Sequence, residues 1–149
     1  MAGPNAGSFE GREHVLPVRV YYEDTDFTGV VYHASYLRFF ERGRTEFLRA
    51  AGVEHSALLS LPEPCAFAVS RIEVHFRAAA RVDDALDIRT QYRKGKGVRI
   101  VARQRITRGD LLIAEAEVEV VCIRLDGRAR RPPLELTERI APLLASDAP

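Results

Sequence analysis

The chain has 149 residues, 46% of them hydrophobic and 29% charged, the profile of an ordinary globular protein of one domain. Its 22 Lys and Arg balance 21 Asp and Glu to a net charge of +1, so no global polarity directs it to nucleic acid or an anionic membrane. No apolar run approaches the ~18 residues of a membrane span, and the first residues lack the basic start and apolar stretch of a signal peptide.

Residues 1–14 are small, polar and rich in Gly and Pro, and read as a flexible N-terminal arm ahead of a single domain over 15–149. Leu16, Val18, Val20 and Tyr22 then alternate with polar neighbours, which predicts a first strand up to about Glu23. A long helix is expected from near His33–Ser35 to just before Gly52, because Tyr36, Phe40, Gly43, Phe47 and Ala50 recur at helical spacing. Gly43 costs a helix about 1 kcal/mol relative to Ala, so a second backbone is expected close against it.

After Leu61-Pro-Glu-Pro64 the period changes to two. Ile72, Val74 and Phe76 alternate with charged residues, as do Leu86 to Tyr92, Val98 to Ala102 and Leu112 to Cys122. The short Gly-containing connections Lys94-Gly-Lys-Gly97 and Arg108-Gly-Asp110 predict hairpins and hence an antiparallel sheet. A short last helix from about Leu134 completes an α+β pattern: one long helix wrapped by a curved sheet of about five strands.

Chemistry concentrates in the link from the first strand to the long helix, where Glu23, Asp24 and Asp26 precede Phe27-Thr28-Gly29. An Asp in a loop is by default a turn former or a helix cap. Here a helix start follows about seven residues on, with unpaired N–H groups and roughly half a positive charge. A carboxylate beside such donors can attack a carbonyl or deprotonate water while they hold the developing oxyanion. Phe27, Val30, Val31 and Tyr32 would keep the spot apolar, and Gly29 would let the backbone approach a reacting group. At His33 the backbone N–H is a stronger candidate donor than the ring. Asp24 and Glu23 read as turn caps or arginine partners, and Glu41 as a partner of Arg44 or Arg38 on the helix surface.

The run Asp24-Thr-Asp-Phe-Thr-Gly-Val-Val-Tyr-His-Ala-Ser-Tyr-Leu37 resembles the signature of the 4-hydroxybenzoyl-CoA thioesterase family of hotdog proteins, nearest its Tol–Pal-associated acyl-CoA thioesterase branch. The likeness continues through Phe40–Glu46, Phe76–Asp84 and Ala114–Cys122. It implies a hotdog fold, hydrolysis of acyl-CoA thioesters, and homodimers or homotetramers with active sites at the subunit interface. The family's catalytic aspartate falls on Asp26, and its oxyanion-donating amide, with an assisting histidine ring, on His33. Tyr22, Phe27, Gly29, Val30, Tyr32 and Tyr36 become candidates to contact substrate, and Arg77 and Arg81 to hold the CoA phosphates. Arg93, Lys94 and Lys96 are further, weaker candidates for the phosphates. Phe27-Thr28-Gly29 departs from the small residue and Gly-Gly common among relatives, which bears on the acyl pocket.

No cofactor or metal is expected: there is no P-loop, no GxGxxG, and no ligand spacing among His14, His33, His55 and His75. No GxSxG elbow surrounds Ser56, Ser60 or Ser70, which argues against a serine hydrolase. Cys65 and Cys122 form no CxxC and no paired framework, so a reducing, cytoplasmic location is expected. Two alternatives remain at this point, a hotdog dehydratase acting on 3-hydroxyacyl thioesters and a module that binds acyl-CoA or acyl carrier protein without chemistry.

Overall fold

The computed structural model describes residues 4–145. The residues of period two form a six-stranded antiparallel sheet rather than one of about five. Its strands are β1 (Ser8–Glu10), β2 (Glu13–Arg19), β3 (Ala66–Phe76), β4 (Ala85–Lys94), β5 (Arg99–Arg108) and β6 (Leu111–Ile123), in the order β1-β2-β4-β5-β6-β3. The long helix α1 spans His33–Ala50; α2 (His55–Leu59) and α3 (Leu134–Ile140) are short. Phe39, Phe40, Phe47 and Leu48 of α1 are buried with Ile88, Ala102, Ile106, Val118 and Val120 of the sheet, so a single core lies between helix and sheet. No helix among the described residues is long and apolar enough to cross a membrane.

Gly43 marks where helix and sheet come closest. A Cβ there would lie 2.7 Å from Ile88 Cγ2, 2.8 Å from Thr90 Oγ1 and 3.1 Å from Gln104 Nε2. The expected close neighbour is therefore a set of sheet side chains and not a second backbone. Gln104 is fully buried yet satisfied: its Nε2 donates to Phe40 O at 2.8 Å and Thr90 Oγ1 at 2.9 Å. Its Oε1 accepts from Arg44 Nη1 at 3.0 Å. This amide ties helix to sheet at the point where no side chain fits between them.

The N-terminal segment departs from its expected role. Residues 1–3 lie outside the described ones, but Ser8–Glu10, Glu13 and His14, all within the expected flexible arm, belong to sheet strands. His14 is the reason sequence polarity misleads: it is fully buried, edge-on to Phe9, with Nε2 2.9 Å from Ala6 O. β2 also ends sooner than the alternation predicts, and Tyr22–Asp24 form a 3₁₀ turn that leaves Tyr22 88% exposed. Burial holds the His14 pKa below its ordinary value of 6.5. The unfolded chain thus binds the extra proton first, and stability drops as pH falls through about 6.5. Thermal melts from neutral pH down to about pH 5 should show this fall in Tm, and His14→Gln should flatten it.

The two edges of the sheet differ. β1 has three residues, whereas β3 has 11 and pairs with β6 alone. The row of β3 expected to face inward stays largely open, with Ile72 38% and Phe76 49% exposed, and Val69 at the strand's irregularity is 49% exposed. On the outward face, charges pair across strands: Arg77–Glu115 at 2.7 Å, Arg93–Glu117 at 2.8 Å and Arg99–Glu119 at 3.0 Å. Cys65 and Cys122 prove to be neighbours, both buried as free thiols; burial, reinforced by Cys65, pushes the Cys122 pKa up to about 12.

Candidate active site

Asp26 opens a tight reversal of the chain. Its N–H donates to Val30 O at 2.9 Å, and Gly29 N–H donates back to Asp26 O at 3.1 Å. Gly29 has φ +85°, which a side-chain-bearing residue rarely adopts, while a Cβ there would meet nothing within 4 Å. Within this chain, Gly29 is thus required by the turn and not by a close neighbour. The returning limb is pinned twice, by Val31 N–H to Ala80 O at 2.8 Å and Tyr32 N–H to Asp24 O at 2.9 Å. Asp24 caps the preceding turn, accepting from Tyr21 N at 2.8 Å, as its sequence context suggested.

The carboxylate of Asp26 is fixed by one oxygen. Oδ1 accepts from the Thr28 N–H at 2.8 Å and from the Thr28 hydroxyl, an Asx-type turn. Oδ2 takes neither of these bonds, and the Val30 N–H also favours the ionised carboxylate. The Thr28 hydroxyl, followed by its N–H, holds the Asp26 pKa below the ordinary carboxylate value, so the group is ionised at neutral pH. The expected turn-forming role is therefore real, and Thr28 engages only one of the two oxygens. Thr28 went unnoticed in the sequence, although Asp-x-Thr is a recognisable turn signature.

The returning limb runs straight into α1, which begins at His33 with Tyr32 as its N-cap. No side chain caps this end, and the N–H groups of His33 and Ala34 find no backbone acceptor among the described residues. Donors and carboxylate thus sit on neighbouring limbs of one short reversal. Tyr32 and His33 rings lie 4.6 Å apart, and His33 is edge-on to Phe76 at 6.3 Å.

The remaining candidates separate. Phe27 is 102% exposed, and with Tyr22, Tyr32, Phe76 and Val82 it leaves apolar surface open around the turn. The dry surroundings expected of Phe27, Val30 and Tyr32 are not supplied by this chain alone. Tyr36 is buried, its hydroxyl accepting from Ala80 N at 3.1 Å, so it supports the loop behind the turn. Val30 is bridged to Arg81, which brings that exposed arginine beside the turn. Arg77 is engaged by Glu115, whose pKa it lowers, and Arg93 by Glu117. Lys94 and Lys96 flank the β4–β5 hairpin, at the end of β4 away from the turn. Glu41 accepts from Thr45 Oγ1 at 3.1 Å, with no ion pair to Arg38 or Arg44 among the described residues. No group of three or more His, Cys, Asp or Glu among the described residues is placed to hold a metal.

An uncapped helix start on the same short reversal as a fixed, ionised carboxylate is the kind of arrangement acyl transfer uses. The model of the thioesterase-like superfamily matches residues 20–143. A chain from Haemophilus influenzae described as an acyl-CoA thioesterase is 46% identical over 110 residues, 74% of this chain and 80% of that one. One from Escherichia coli O157:H7, described as an acyl-CoA thioester hydrolase, is 50% identical over 108 residues, 72% and 79% of the two chains. Among solved structures, a probable thioesterase from Bartonella henselae superposes with TM-score 0.79 at 42% identity, covering 81% of this chain and 99% of that one. The resemblance read from Asp24 to Leu37 holds, and the fold is the hotdog it implies; the chain belongs to the thioesterase-like superfamily.

Proposed function

We propose that the protein hydrolyses acyl-CoA thioesters, with Asp26 as the reacting carboxylate and the start of α1 as the oxyanion site. The supporting observation is the single short reversal that holds both an ionised Asp26, with Oδ2 not bonded to Thr28, and the unpartnered N–H groups of His33 and Ala34. The substrate carbonyl oxygen accepts from the His33 N–H, which draws charge from the carbonyl carbon. In one route Asp26 Oδ2 attacks that carbon, the C–S bond breaks, CoA leaves as its thiolate, and water then cleaves the acyl–aspartyl anhydride. In the other, Asp26 takes a proton from water as the water oxygen attacks, and the C–S bond breaks from the resulting oxyanion. Single turnover in ¹⁸O-water separates them, since label entering the Asp26 side chain requires the covalent route. Thiol release assayed across short, long and aromatic acyl-CoAs tests the activity itself; release from none of them overturns it.

Thr28 sets the acid limit of this chemistry. Its hydroxyl lowers the Asp26 pKa, so Thr28→Val raises that pKa toward its ordinary 3.8 while the backbone N–H bond remains. The acid limb of kcat/KM should therefore move to higher pH in the variant. Activity well above that limb should change little.

The same reading includes a second copy of the chain over the turn. The open β3 edge and the apolar surface of Phe27, Tyr32 and Phe76 support a homo-oligomer whose interface dries the site. The exposed Arg81 beside the turn is then placed to meet CoA phosphate. Sedimentation equilibrium at assay concentrations should give a mass of at least two chains; a single-chain mass in the active enzyme overturns the shared site.

A further inference from the structure

Between the middle of α1 and the sheet lies a cavity of about 150 Å³. Leu48, Phe67, Val120 and Ile140 wall it, and Arg44 reaches it from α1. A void of ~150 Å³ accommodates a benzene-sized body. Arg44 lies eleven residues beyond His33 on the same helix, about 16 Å along its axis at ~1.5 Å per residue. A ligand there does not occupy the reacting turn of its own chain.

The guanidinium is the unusual part. Of its five N–H donors, only one is engaged among the described residues, by Gln104 Oε1 at 3.0 Å. No carboxylate lies within ion-pair distance of it among those residues. The side chain is partly buried, and burial lowers its pKa. Tyr92 and then Glu41 act on its charge, and both line the cavity; Glu41, the one carboxylate of the two, is exposed and bonded to Thr45. A partly buried cation facing an apolar space gains from an anion that joins it there.

We propose that this cavity binds a small carboxylic acid, the carboxylate pairing with Arg44 and an apolar body of about six carbons filling the space between Leu48, Phe67 and Ile140. The inference does not need the hydrolase reading, although thioester hydrolysis releases a compound of this class.

Titration calorimetry of the full chain with cyclohexanecarboxylate and cyclohexanecarboxamide tests it. The carboxylate should bind at least about tenfold more tightly than the amide, the difference a charged hydrogen-bonded pair supplies. Arg44→Met should abolish that preference, Arg44→Lys should keep part of it, and Glu41→Gln should strengthen it by removing a like charge. Val120→Phe, which fills the cavity, should weaken both ligands. Equal affinity for acid and amide, or no heat from either at millimolar concentration, overturns the proposal, and this comparison needs only the unaltered protein. Because Asp26→Asn should bind the acid normally, loss of thiol release and loss of acid binding are separate outcomes.

Discussion

Asp26→Asn should leave the fold intact and lower kcat by about 10²-fold or more. The amide retains a carbonyl oxygen to accept from the Thr28 N–H, so the turn that presents residue 26 should survive. What disappears is the charge. An amide neither attacks a thioester carbon nor takes a proton from water, whichever route operates. Thiol release measured beside a thermal melt distinguishes lost chemistry from lost structure. Wild-type turnover from a folded variant removes Asp26 from the reaction and reduces its role to the turn. Near-normal KM with depressed kcat would place its effect in the transition state.

The largest structural effect is expected at Gly43→Val. Three sheet side chains already stand within 3.1 Å of where the first added carbon would go, and each is fully buried. Ile88 has no direction in which to yield, and Thr90 and Gln104 are held by their mutual hydrogen bond. The helix would have to lift from the sheet and break the Gln104 bond to Phe40 O. Overpacking of this kind costs about 3 kcal/mol, equivalent to a fall in Tm of roughly 6–12 °C for a chain of this size. Gly43→Ala is a gentler probe, since about 1 kcal/mol of helix propensity offsets part of its clash. A valine variant melting with the wild type would show that α1 does not sit as close to β4 and β5 as described.

Much of the architecture was legible because it rests on period. Tyr36, Phe40 and Phe47 mark the inner face of α1, and the alternation from Leu86 to Tyr92 and from Leu112 to Cys122 marks two central strands. Period fails where a polar residue is buried by its partners. His14 looks like surface, yet packing against Phe9 and Phe47 makes β1 and β2 part of the sheet. It fails again on β3, since alternation says which side a residue faces and not whether anything covers it. Phe76 faces the expected way and is still half open.

The proposed site is legible as a local motif. Asp26, Gly29 and His33 lie within eight positions of one another, and the loop and helix start carry their chemistry with them. What was hidden depends on contacts between distant segments. Ala80 meets Val31 and Tyr36 across more than forty residues, and Arg44 meets Gln104 across sixty. No spacing within the chain announces either meeting.

The unequal margins of the sheet also limit how copies can join. At one margin β1 is only three residues long, bounded by Gly7 and Gly11, both at positive φ, and too short to template another chain. Among the described residues, only the β3 side offers a long unpaired row of backbone groups. Two molecules meeting there about a two-fold axis consume both long rows at once and leave nothing on which a third could add. Were copies to join along β3, growth by strand addition would stop at a pair, and the same asymmetry would guard against fibres.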